Sequence, residues 1–177
     1  MRLTGLAILG ISAAATVNAQ IPPANPPPAL HEPVITSEIF VERAAQAGMY
    51  EVEAGRVALS RSTDQGVRAF AQRMVTDHGV TSAELAGAVA GTAYPAPSKL
   101  DAEHQSKLRK LKNTAGAGFD AAYGKDMMDG HGQVVTLFTQ ASSATEVTPA
   151  LRGFARKTLP MLQSHYEAAK SLPHPAK

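Results

Sequence analysis

The chain contains no cysteine and no tryptophan. Without cysteine there is no thiolate metal ligand, no disulfide framework, no c-type haem attachment and no lipidated residue at a cleavage site. Without tryptophan, and with aromatics at only 5% of the chain, platforms for stacking bases or sugars are scarce. A glycine-rich phosphate loop, a His-Glu-x-x-His pair and a recognisable serine or threonine nucleophile motif are also missing, so kinase and hydrolase readings lack their parts. Charge of one sign is missing too: 17 Lys+Arg stand against 15 Asp+Glu. Nothing in that balance steers the chain to nucleic acid or to an anionic membrane.

What is present begins with an export signal. Arg2 supplies a short positive start, Leu3 to Ala15 is apolar and uncharged, and Val17-Asn18-Ala19 gives the small-x-small pattern of a cleavage site. Residues 1–19 therefore read as a signal peptide cleaved before Gln20, and the protein as periplasmic or secreted. The apolar run is shorter than the roughly 20 residues a membrane-spanning helix needs, and no later segment qualifies, so the mature chain is expected to carry no transmembrane segment. Its length suits one domain. Residues 20–35 form a proline-rich leader, with Pro22, Pro23, Pro26, Pro27, Pro28 and Pro33 favouring an extended, polyproline-like linker. The bundle is expected over 36–172 and a tail over 173–177.

From Thr36 the pattern is helical. Phe40, Ala44, Ala47, Glu51, Ala54 and Ala58 share one stripe of a helix from about Ser37 to Ser60. Ser62, with Gln65 three residues on, reads as a capping box opening a second helix, whose stripe is Val67, Phe70, Ala71, Met74, His78, Leu85 and Val89. Tyr94-Pro95-Ala96-Pro97 breaks the chain. Ser98 and Asp101 then lead a short charged helix to about Lys112, and Gly116-Ala117-Gly118 interrupts again. A helix from Phe119 to about Ala141 aligns Tyr123, Met127, His131, Val134 and Phe138. Thr148 and Pro149 start the last one, aligning Leu151, Phe154, Ala155, Thr158, Leu162, His165 and Ala169. Pro160 inside it removes a backbone donor and predicts a kink.

Val67 to Arg73 echoes Leu151 to Lys157, and each heptapeptide precedes an inward histidine. Two helical hairpins joined by a long crossover follow. The fold class is all-α: a ferritin-like four-helix bundle with a short extra helix in the crossover.

Glu51-Val52 before Gly55, Phe70-Ala71 with Met74-Val75 and Asp77-His78, and Phe119-Asp120 with Tyr123 resemble one family in order and spacing. His131 before Leu137-Phe138, and Phe154-Ala155 with Thr158-Leu159-Pro160 and His165, continue the likeness from about Ser37 to Leu172. It is the exported bacterial family known as domain of unknown function 4142. The resemblance implies export and a ferritin-like bundle, but no activity. The chain departs from the family pattern at Gly130, which precedes His131 where members commonly carry Asp.

Four helices thus each turn one metal-capable side chain inward: Glu51, His78, His131 and His165. By residue type they suit zinc, copper, iron or manganese. Ferritin-type iron chemistry is a poor match, because Val75, Met128 and Leu162 stand where Glu-x-x-His would need glutamate. The alternative is a purely structural network, with the histidines donating to carboxylates or carbonyls across the core. The first expectation is a non-enzymatic binding or stress-related module of the envelope with such a network. The second is a transition-metal protein for storage, sensing or redox. A protein partner or a second copy of the chain is left open. Ligand atoms at one level of the bundle separate the two readings.

Overall fold

The computed structural model describes residues 34–116 and 118–175; the expected signal peptide and most of the proline-rich leader, His31 included, lie outside the described residues. Five helices follow in order: α1 (Ser37–Arg61), α2 (Gln65–Val89), α3 (Ala102–Asn113), α4 (Gly118–Ala141) and α5 (Pro149–Ala169). The α1–α2 and α4–α5 hairpins pack so that α1 lies along α4 and α2 along α5, with α3 laid across α1 and α4. The all-α four-helix bundle with a crossover helix is the observed architecture.

Local chemistry sets the helix ends. Thr36 Oγ1 accepts from Ile39 N to start α1. The start of α2 differs from the sequence expectation. Asp64, not Ser62, is its cap, accepting from Val67 N at 2.8 Å, while Ser62 terminates α1 and accepts from Asp64 N through its hydroxyl. A carboxylate two residues later captures the orphan amide first, and its charge suits the helix N-terminus better. Asp101 caps α3 by accepting from His104 N. Thr148 precedes α5 without making a side-chain cap bond; Pro149 fixes that first turn instead. The helix continues through Pro160 to Ala169.

The crossover is held by specific polar contacts. Buried Gln46 on α1 donates to Lys99 O and accepts from Asp101 N. Arg61 donates to the carbonyls of Lys112 and Thr114 at the end of α3, where the helix dipole favours a cation. Close approach of α1 and α2 depends on Gly55: a Cβ there would meet Ala71 O and Val75 Cγ2 at 3.0 Å. The chain end also packs more closely than a free tail would. Pro173 O sits where a Cβ on Gly124 would go, and His174 is half-buried rather than exposed.

The interior divides into two apolar clusters. One holds Phe40, Val41, Phe138, Leu151 and Phe154. The other holds Tyr50, Phe70, Met74, Tyr123 and Met127. Along every long helix the segment between them carries the polar residues, so the bundle has two oily ends and a polar waist.

Candidate metal centre

The waist is built from one residue per long helix. Glu51 comes from α1, His78 from α2, His131 from α4 and His165 from α5, exposed by only 3%, 3%, 0% and 0%. The three imidazoles form a nearly equilateral triangle, with ring centroids 5.5 Å (His78–His131), 5.3 Å (His78–His165) and 5.3 Å (His131–His165) apart. One ligand atom from each ring lies within 4.8 Å of the other two. The histidines therefore stand at one level.

Which nitrogen carries the proton follows from the partners. His131 Nδ1 is 2.9 Å from Met127 O; a carbonyl can only accept, so Nδ1 donates and Nε2 keeps its lone pair. His165 Nε2 is 2.8 Å from Asp77 Oδ2, so an ionised Asp77 fixes the proton there and frees Nδ1. His78 Nδ1 lies 3.1 Å from Glu51 Oε2. That contact is close but not aligned as a hydrogen bond, and Glu51 Oε2 is left without a partner. Its other oxygen is 3.4 Å from His131 Nδ1. The remaining ring nitrogens, His78 Nε2, His131 Nε2 and His165 Nδ1, are all buried with no hydrogen-bond partner among the described residues.

That pattern has a chemical meaning. The bonds of His131 to Met127 O and of His165 to Asp77 are those a structural network makes, but such a network would not leave the second nitrogen of each ring bare. Here the donors of His131 and His165 are taken by Met127 O and Asp77, His78 Nδ1 faces Glu51 without an aligned bond, and one nitrogen per ring is left without a partner among the described residues. Leaving a buried polar group unsatisfied costs about 1–3 kcal/mol, and three occur in one layer. Outer carboxylates and carbonyls that fix imidazole tautomers are the usual surroundings of metal-binding histidines. For zinc-like bonds of about 2.0–2.1 Å, tetrahedral nitrogens stand roughly 3.3 Å apart, so the 4.8 Å triangle would contract modestly around an ion.

Burial keeps His78 and His165 neutral. Burial pushes His78 below its ordinary value, against the opposing pull of Glu51, with His131 lowering it further. His165 is lowered to about 4, chiefly by burial and against its hydrogen bond to Asp77. Both are unprotonated at neutral pH, the form in which imidazole ligates. Tyr123, fully buried beside this region with a hydroxyl that has no partner among the described residues, is held protonated by burial and by the Glu51 charge.

All four residues expected from the sequence come together. Glu51, expected as a fourth ligand, lies against Nδ1 of both His78 and His131. Asp77 was missed: it does not pair with its neighbour His78 but reaches across to His165 on α5, and Arg73 braces it at 3.3 Å. The signal was available, because two hairpins place α2 beside α5. Gly130 leaves space on the Glu51 side, a Cβ there lying 3.9 Å from Glu51 Oε1. His104 is half-buried and pairs with Asp101 at 2.9 Å.

The family model described as "Domain of unknown function (DUF4142)" matches residues 19–172. No curated protein matches the chain in sequence. Among solved structures, a DUF305 fragment from Deinococcus radiodurans is similar at 14% identity and a TM-score of 0.63, over 78% of this chain and 96% of that one. CopM in its Cu(II)-bound form is similar at 15% identity and the same TM-score, over 77% and 95%. At such identities the likeness is one of fold.

Proposed function

The chain belongs to the DUF4142 family, and we propose that this member is a transition-metal-binding protein whose ligands are His78, His131 and His165. The observation that carries the reading is the set of unpartnered nitrogens, one on each ring of a buried triangle. A cation lying among them would satisfy all three buried lone pairs at once. The three-imidazole donor set suits copper, zinc, iron or nickel better than the hard cations magnesium or calcium. Copper is the first ion to test, since a protein of the same fold has been solved with Cu(II) bound.

Glu51 and Asp77 act from outside, holding His78 and His165 with their lone pairs inward and supplying negative charge near an incoming cation. A copper ion bound there would supply one-electron chemistry, whereas zinc would supply none. We read the role as holding and handing on an ion. The signal-like pattern of residues 1–19 supports a place in the periplasm or outside the cell for that role, and mass spectrometry of the exported fraction should find a mature start at Gln20. No helix among the described residues is long and apolar enough to cross a membrane.

The test is metal content and titration of untagged protein beside a His78→Ala/His131→Ala variant. The expected result is close to one equivalent of metal, lost in the variant while the helical spectrum is kept. Absence of saturable binding for Cu(II) and Zn(II) by the folded wild type would overturn the reading.

A further inference from the structure

One layer beside the buried triangle offers a way in for an ion. That layer contains a cavity of about 20 Å³ whose wall includes Gly48, Glu51, His78, Thr81 and Ser82, enough room for about one water molecule. Gly48, Thr81 and Val134 lie three residues along their helices from Glu51, His78 and His131, so the cavity stacks on the histidine layer by one helical turn. Glu51 sits at the junction, with its unpartnered oxygen, in a side chain only 3% exposed, lining this space.

Beyond the cavity is a surface groove of about 510 Å³ lined by Glu42, Arg43, Asp101, Glu103 and His104. Ala47 and Val134 line both spaces and form the wall between them. Three carboxylates against one guanidinium make the groove a cation-attracting mouth.

We propose that this groove and cavity are the entry port for the ion, with Ala47 at the narrowing and Glu51 as the transfer carboxylate. The inference rests on the metal-binding reading above. A cation stripped of water has a prohibitive cost in an apolar core unless an anion accompanies it. Along this route the anion is always near: Glu42, Asp101 and Glu103 outside, then Glu51, whose carboxylate touches His78 at 3.1 Å. No bond is made or broken beyond exchange of the ion's ligands.

The experiment is stopped-flow loading of the metal-free protein with Cu(II), and separately Zn(II), with affinity measured at equilibrium on the same samples. Ala47→Leu places a bulky side chain at the narrowing and is expected to slow loading at least tenfold while stoichiometry and affinity stay unchanged. Glu42→Gln/Glu103→Gln removes two exposed charges from the mouth and is expected to slow loading several-fold at low salt and flatten its dependence on ionic strength. Should Ala47→Leu not fold, the surface pair decides alone. Wild-type loading rates and salt dependence in the folded variants would overturn the port and leave the metal site standing. A wild type that takes up no metal would remove both.

Discussion

Two triangles of rings stack inside this bundle and share two of their three helices. Phe40, Phe138 and Phe154 meet at centroid distances of 4.9, 6.3 and 5.9 Å. His78, His131 and His165 meet at 5.3 to 5.5 Å. The helices therefore hold three rings at similar spacing in both layers, and only chemistry separates the results. Among the phenylalanines, positive ring edges meet negative faces, most clearly in the 72° Phe40–Phe138 pair, so that layer is complete as it stands. Among the histidines, one buried nitrogen of each ring has no hydrogen-bond partner among the described residues. One triangle is core; the other is core geometry with its polarity left unfinished, and that is what makes it a site.

The largest expected contrast comes from truncating the complete layer. Phe138→Ala should cost about 3–5 kcal/mol in urea unfolding, with metal stoichiometry unchanged in the protein that remains folded. A loss below 1 kcal/mol would mean the aromatic layer is not the packed unit described.

Acid should distinguish the layers next. In the metal-free protein His165, faced by Asp77, Arg73, His78 and His131, is lowered from 6.5 to about 4. Between those values the unfolded chain takes up a proton that the folded chain refuses. Stability is therefore full above about pH 6.5 and declines toward pH 4, by an amount of the order of 3 kcal/mol for this group. His165→Leu should flatten that part of the pH–stability curve, and an unchanged slope would contradict the burial argument. The phenylalanine layer contributes no such slope.

A sharper separation comes from His131→Leu. An apolar replacement of similar volume removes one ligand and one unsatisfied nitrogen together. Calorimetric metal affinity should fall at least about 100-fold, roughly 2.7 kcal/mol, while metal-free stability should hold or rise. A structural network would give the opposite pattern, with stability falling. Asp77→Asn should have a smaller effect, about 10–100-fold in affinity, because the histidine it orients is kept; wild-type affinity there would remove Asp77 from the site.

Much of this arrangement is legible in the sequence. Three- and four-residue spacing placed Glu51, His78, His131 and His165 on inward faces, and the chain breaks at Tyr94–Pro97 and Gly116–Gly118 gave two hairpins with a crossover. Their common level was not legible, because relative sliding of helices depends on packing such as the Gly55 contact with Ala71. The contacts of Glu51 were not legible for the same reason: periodicity gives a face, not which nitrogen a carboxylate meets. Asp77 escaped notice because it lies about 100° round the helix from His78, at the α2–α5 seam, where inward stripes do not look. Orphan nitrogens are a property of tautomers and neighbours, visible only once Met127 O, Asp77 and Glu51 have positions.

The central claim is that three imidazoles converge on one ion. X-ray absorption at the metal edge, on protein loaded with one equivalent of Cu(II) or Zn(II), addresses it directly. The account predicts the outer-sphere scattering of three imidazole rings, dropping to two in His165→Leu. A shell of oxygen ligands without imidazole scattering, unchanged by that substitution, would place the ion elsewhere and contradict it.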